Sequence, residues 1–282
     1  HLVIHDKEAQ TRHPLLKEIQ PTSEQTDVIP AFDLLDIPEY SQYGTIGAFY
    51  CFKPAGIPFA TVLSNRGCRA RCTFCSVRNF NGPGVRQRSV ASVVDELELL
   101  RNEYGVGHIM WLDDDLLRDH KRAIEMFNEM VRRQLSLTWD ATNGVIAASC
   151  TDEVIDAAAR SGCIALNIGM ESGNRQILRQ IKKPAAVETF LRAAEVLRNY
   201  EQIHTSVLLM VGFPDETMSM IVDTINVARQ MALDWHRISP LQPLPNTPIY
   251  DSMVAQGLIQ DVGSKEIRFM GGAFGKKTEI EQ

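Results

Sequence analysis

Three cysteines, Cys68, Cys72 and Cys75, stand at C-x3-C-x2-C spacing in the stretch from Ser64 to Val77. The stretch directly follows an apolar, strand-like run, Phe59 to Leu63, so a fixed strand end presents the three thiols. A tight loop with this spacing can aim three thiolates at one inorganic cluster. Iron–sulfur clusters usually take four cysteine ligands. Three leave one iron open, and an open coordination position is what lets a metal site do chemistry. A structural zinc site wants four protein ligands, but the nearest upstream cysteine is Cys51 and the first downstream histidine is His108. Disulfides suit an enzyme-like chain with six cysteines in 282 residues poorly. Cys51, Cys150 and Cys163 lie singly in apolar surroundings and read as small buried hydrophobes.

The elements that must carry this loop follow from the hydrophobic period. Strand-like runs occur at Phe59–Leu63, His108–Leu112, Leu137–Ala141, Ile164–Ile168, Ser206–Val211 and His236–Pro240. Helical patterns lie between them. One runs from Ser89 to Tyr104 with Gly105 as its stop, and one from Arg118 to Arg133 with Ile124, Phe127 and Val131 on one face. Thr151 caps a third, which ends at Gly162. Two pieces flank Pro184, another spans Met218 to Met231, and Thr247-Pro248 starts a last one that closes at Gly257. Strand–helix alternation of this kind argues for parallel pairing with crossover helices. Right-handed crossovers would curl such a sheet into a barrel wall, and six units are too few to close an eight-unit barrel. A doubly wound open sheet fits the same pattern.

Composition sets outer bounds. Apolar residues make up 44% and charged residues 23%, an ordinary globular balance. No apolar run approaches the ~18–20 residues needed to cross a bilayer. The net charge of −6 argues against a surface built to track nucleic-acid phosphates. The charge is uneven, however. Between Ser64 and Val94 there are six arginines (Arg66, Arg69, Arg71, Arg78, Arg86 and Arg88) and no acid. They read either as solvated loop charge or as surroundings that favour an anionic cluster and a carboxylate ligand.

The cysteine triplet, with Phe74 as the aromatic before its third member, resembles the signature of the radical S-adenosylmethionine (radical SAM) superfamily. That resemblance implies an α/β fold, the open partial TIM barrel (β/α)6, and it extends to the strand ends, where barrels of this type place their chemistry. Asp113-Asp114-Asp115 stands where family members contact the amino group of the cofactor, in a form like that of the cobalamin-dependent branch. Read alone, the aspartates equally well start the next helix. Glu171, between Gly169 and Gly173, matches the residue that binds the cofactor ribose. A carboxylate can accept from both ribose hydroxyls; the plainer alternative is a surface carboxylate. Val211 to Thr217 resembles the family's Gly-Phe-Pro-x-Glu-Thr segment, which makes Gly212 a cofactor contact. Leu241 to Asp251 resembles a Pro-rich segment of the same branch and brings in Gln242. There Asn246 replaces the usual glycine, although Asn tolerates left-handed geometry.

The resemblance also implies a domain plan. Residues 1–40 are expected to be a linker or the tail of a preceding cobalamin-binding domain, because Pro30 to Tyr40 resembles the lead-in from such a domain. Residues 41–257 would be the radical SAM core, and residues 258–282 the start of a C-terminal extension. The chain begins at His1 and lacks the Asp-x-His-x-x-Gly ligand motif of cobalamin domains, so it is expected to be a fragment whose cobalamin domain lies upstream.

The function implied is that of an enzyme. A [4Fe–4S] cluster held by Cys68, Cys72 and Cys75 would bind S-adenosylmethionine at its open iron. One-electron reduction would then yield methionine and a 5′-deoxyadenosyl radical for C–H activation. Cobalamin-dependent methylation or oxidative rearrangement would follow, with cobalamin held by the full-length protein. Methylthiolation of RNA or protein is the alternative enzyme reading, and a non-enzymatic iron–sulfur electron carrier is the reading from another class. The expected partners are a small-molecule substrate and a one-electron donor of the flavodoxin or ferredoxin type, with no membrane span and no nucleic acid. The expected location is cytoplasmic.

Overall fold

The six apolar runs do form strands, and they pair in the order in which they occur. The computed structural model describes residues 20–43 and 57–260. In it β1 (Phe59–Val62) is followed by a short antiparallel ribbon of β2 (Asn65–Arg66) and β3 (Arg86–Gln87). Then come β4 (His108–Trp111), β5 (Thr138–Val145), β6 (Cys163–Glu171), β7 (His204–Val211) and β8 (Trp235–Pro240). The main sheet runs β1-β4-β5-β6-β7-β8, and every neighbouring pair is parallel. A doubly wound sheet reverses its strand order at a switch point. This sheet never reverses, so it is the wall of an open (β/α)6 barrel.

The helices start where short polar side chains can take up the free N–H groups of a first turn. Ser89, Asp119, Thr151, Thr217 and Thr247 each accept from a backbone N–H three residues on, a contact typically worth ~1 kcal/mol. One expected face needs correction. In the helix His120–Arg132, Phe127 is buried and Ile124 packs against the core as expected, but Val131 is 41% exposed, and Ala123, Met126 and Met130 complete the buried face. The stripe is helical in period and centred on Phe127, with Met and Ala rather than Val131 filling the rest of it. It packs on the outer face of the sheet, where the Trp139 ring stacks 5.0 Å from Phe127 and meets Trp111 edge-on at 6.4 Å. Cys150 and Cys163 are buried in this core; Cys51 lies outside the described residues.

The segment before β1 is seated on the barrel. Phe32 is buried and meets the Tyr104 ring edge-on at 6.2 Å. The Ser41 hydroxyl accepts from the Phe59 N–H at 2.9 Å and lies 3.0 Å from the Phe59 carbonyl. Among the described residues, no helix is long and apolar enough to cross a membrane.

Candidate functional site

The cysteine loop is held open by the three aspartates that follow β4, each gripping a different point. Asp113 accepts from the Ser64 N–H at 2.9 Å, the Ser64 hydroxyl at 2.6 Å and the Asn65 N–H at 2.8 Å. Asp114 accepts from the Asn81 side chain at 2.8 Å and, more weakly, from the Gly67 N–H at 3.3 Å. Asp115 pairs with Arg69 at 3.0 Å. Burial pushes Asp113 up to about 6 despite these bonds, and it raises Asp114 and Asp115 as well. Gly67 is required at its place. It has φ +91°, and a Cβ there would lie 2.3 Å from the Gly84 carbonyl oxygen.

Cys68, Cys72 and Cys75 line one cavity of about 350 Å³ at the strand ends, within the size range of small-molecule sites. Burial pushes the Cys68 thiol up to about 11 and raises Cys72 and Cys75. Among the described residues, no three His, Cys, Asp or Glu side chains converge closely enough to hold a single metal ion. Thiols spread around a shared cavity suit a polynuclear cluster, in which each thiolate meets a different iron. The donor set therefore fits the [4Fe–4S] group.

Two irregularities aim further groups at these thiols. The β5/β6 register slips between Ala141 and Val145, and Asn143 and Gly144 bulge into the cavity. The β6/β7 register slips between Gly169 and Glu171, and Glu171 takes φ +66°. Bulges of this kind re-aim a side chain. Glu171 accepts from Lys183 Nζ at 2.9 Å. A Cβ on Gly169 would lie 3.0 Å from the Glu171 carboxylate and 3.2 Å from Lys183 Nζ, so the glycine leaves room for the pair. Burial works to strip the Lys183 proton. Glu171 and the nearby Cys72 and Cys75 outweigh it and hold its pKa above the usual lysine value.

The structure thus brings Cys68, Cys72, Cys75, Phe74, Asp114 and Glu171 around one cavity. It turns the Asp113 carboxylate to the base of the cysteine loop, and Gly212 and Gln242 are not among the lining residues. The Gly212 N–H is taken by Glu216 at 2.7 Å. Asn246 does adopt the left-handed conformation, φ +65°. Lys183 was missed in the sequence; a lysine twelve residues after a carboxylate gives no signal until the chain between them is folded.

The sequence profile described as "Radical SAM superfamily" matches residues 62–228. An uncharacterized methyltransferase of Pyrococcus horikoshii is 30% identical over 231 residues, covering 82% of this chain and 47% of that protein. The cytidylyl-2-hydroxyethylphosphonate methyltransferase of Streptomyces wedmorensis is 28% identical, covering 71% of this chain and 40% of that protein. The chain thus spans less than half the length of these relatives. In fold it is similar to the radical SAM methyltransferase TsrM from Kitasatospora setae, solved with cobalamin and a [4Fe–4S] cluster. The TM-score is 0.63 at 23% identity, covering 72% of this chain and 41% of that one.

Proposed function

The chain belongs to the radical SAM superfamily, and we propose from that premise that it is the catalytic core of a cobalamin-dependent methyltransferase or a related rearranging enzyme. The observation that carries this reading is the convergence of three cysteines and the Glu171–Lys183 pair on one cavity. When bound, a reduced [4Fe–4S] cluster and S-adenosylmethionine supply the 5′-deoxyadenosyl radical that attacks an unreactive C–H bond. Cys68, Cys72 and Cys75 would hold the cluster, with one iron left for the cofactor. Lys183, charged and largely buried, takes the methionyl carboxylate. Glu171 accepts from the ribose hydroxyls, and Phe74, packed on Phe213 at 6.2 Å, walls the apolar side. Asp114, which lines the same cavity, would take the methionyl amine. Backbone from the Gly212 segment and the Gln242 segment encloses the cofactor further out.

Cobalamin is a cofactor of the full-length protein, the substrate is a small molecule, and the enzyme works in the cytoplasm with a one-electron donor of the flavodoxin or ferredoxin type. Similarity to two methyltransferases supports methylation as one outcome.

The reconstituted chain, reduced with dithionite, is expected to cleave S-adenosylmethionine to methionine and 5′-deoxyadenosine. An intact cluster that binds the cofactor and never cleaves it would overturn the reading. Glu171→Gln keeps the shape of the side chain and removes charge-assisted hydrogen bonds worth ~1.5–3 kcal/mol. Cofactor affinity is expected to fall by roughly one to two decades with the cluster spectrum unchanged. Equal affinity would release Glu171 from the cofactor.

A further inference from the structure

The cysteine loop has two sides. Cys68, Ala70, Cys72 and Phe74 face the cavity, whereas Arg69 and Arg71, which alternate with them, line a separate surface groove of about 820 Å³. Arg78 borders both spaces, and Arg118 and Lys121 complete the cationic lining of the groove, with His120 between them. Its one carboxylate, Asp119, is engaged as a helix cap, accepting from the Arg122 N–H at 3.1 Å. The loop is therefore a wall one chain thick between the thiols and a basic surface.

Part of the arginine run in this region is structural. Arg69 pairs with Asp115, and Arg88 with the buried Glu96. Arg71, Arg118 and Lys121 are different. They are exposed, and among the described residues none forms an ion pair with a carboxylate. On a chain of net charge −6 they make a local reversal of sign. A small anion is held by buried, fixed donors, whereas exposed cations spread over an open groove suit a large partner of opposite charge, met in high dielectric.

We propose that this groove docks an acidic one-electron carrier protein, its carboxylates on Arg71, Arg118 and Lys121 and its redox centre against the outer side of the cysteine loop. The inference rests on the radical SAM reading, because only a redox centre behind the loop gives the carrier a destination. The carrier gives up one electron and is oxidised by one equivalent. The electron would cross the loop to the [4Fe–4S] cluster that Cys68, Cys72 and Cys75 would hold, lowering its oxidation level by one equivalent, and no proton need move.

The test uses the whole reconstituted chain and a purified bacterial flavodoxin as the probe. In the triple variant Arg71→Glu/Arg118→Glu/Lys121→Glu, calorimetry at low salt is expected to show flavodoxin affinity reduced at least ~10-fold, since charge reversal at a polar interface turns attraction into repulsion. Cofactor cleavage driven by flavodoxin hydroquinone falls with it, while cleavage driven by dithionite is unchanged. Equal flavodoxin affinity and equal flavodoxin-driven cleavage in wild type and variant would overturn the docking site. Failure of dithionite to drive cleavage in the wild type would instead sink the radical SAM reading. The milder Arg71→Gln/Arg118→Gln/Lys121→Gln variant guards against misfolding and is expected to lie between the two. Carbodiimide treatment should cross-link Lys121 to a flavodoxin carboxylate, and a cross-link map that omits Lys121 counts against the proposal. Displacement of flavodoxin by stoichiometric inorganic phosphate would make the groove a small-anion site and end the proposal as well.

Discussion

Anaerobic reconstitution with iron and sulfide is expected to give about four irons per chain, and Cys68→Ala, Cys72→Ala and Cys75→Ala each to give almost none. Three ligands are already one fewer than such a cluster usually has, so removing any one leaves two, which hold it too weakly to survive desalting. The loss should be all-or-none rather than graded by position, because the three thiols share one cavity. Cys150→Ala and Cys163→Ala are the controls. Both side chains are buried in the outer core behind the sheet, and their loss should lower stability without changing the iron count. Iron that persists in any one of the three loop variants would remove that cysteine from the ligand set. Tight zinc with no iron would replace the cluster altogether.

Asp113→Ala is expected to cost stability, not cofactor affinity. It leaves three donors at the exit from β1 unpaired, Ser64 N–H, Ser64 hydroxyl and Asn65 N–H. A buried donor without a partner costs ~1–3 kcal/mol, and partial relaxation brings the sum to about 3 kcal/mol, or roughly 6–12 °C in Tm at this chain length. Asp113 also carries a pH signature. Its folded pKa, about 6, lies above the ordinary 3.8, so the fold binds this proton more tightly than the unfolded chain does. Stability from this group is complete below pH 3.8, declines as pH rises toward 6 and is flat above it. The stability difference between wild type and Asp113→Asn should bend in that window, read by chemical denaturation at several pH values. An Asp113→Ala protein with normal Tm and weakened cofactor binding would return Asp113 to the amine-contact role that its place in the sequence suggests.

The architecture was legible in the sequence where a local signal decided it. Apolar runs marked six strands, and Ser, Thr and Asp caps marked helix starts. The strand order was not legible, because parallel strands joined by helices give the same pattern in a barrel wall and in a doubly wound sheet. On His120–Arg132 the period located Phe127 and Ile124, but not which neighbour completes the face: the sheet offers a surface that Met126 and Met130 fill, and Val131 faces outward. In the site, the cysteine spacing is contiguous and could be read directly. Which of three consecutive aspartates faces the cavity depends on single dihedral angles after β4. Lys183 joins the site only because a bulge turns Glu171 inward and a six-residue helix, Arg175–Gln180, brings the chain back to it.

The grip of the three aspartates also bears on how this protein meets oxygen. The cysteine loop is tied at Ser64, Asn65, Gly67 and Arg69 by bonds that owe nothing to iron. In small zinc domains, by contrast, metal binding and folding are one event. Here a cluster burnt away by air leaves behind a shaped empty socket rather than a loose coil. Damage of that kind is repairable: the cell's assembly machinery, or a chemist with iron and sulfide, can refill the socket without first refolding the chain.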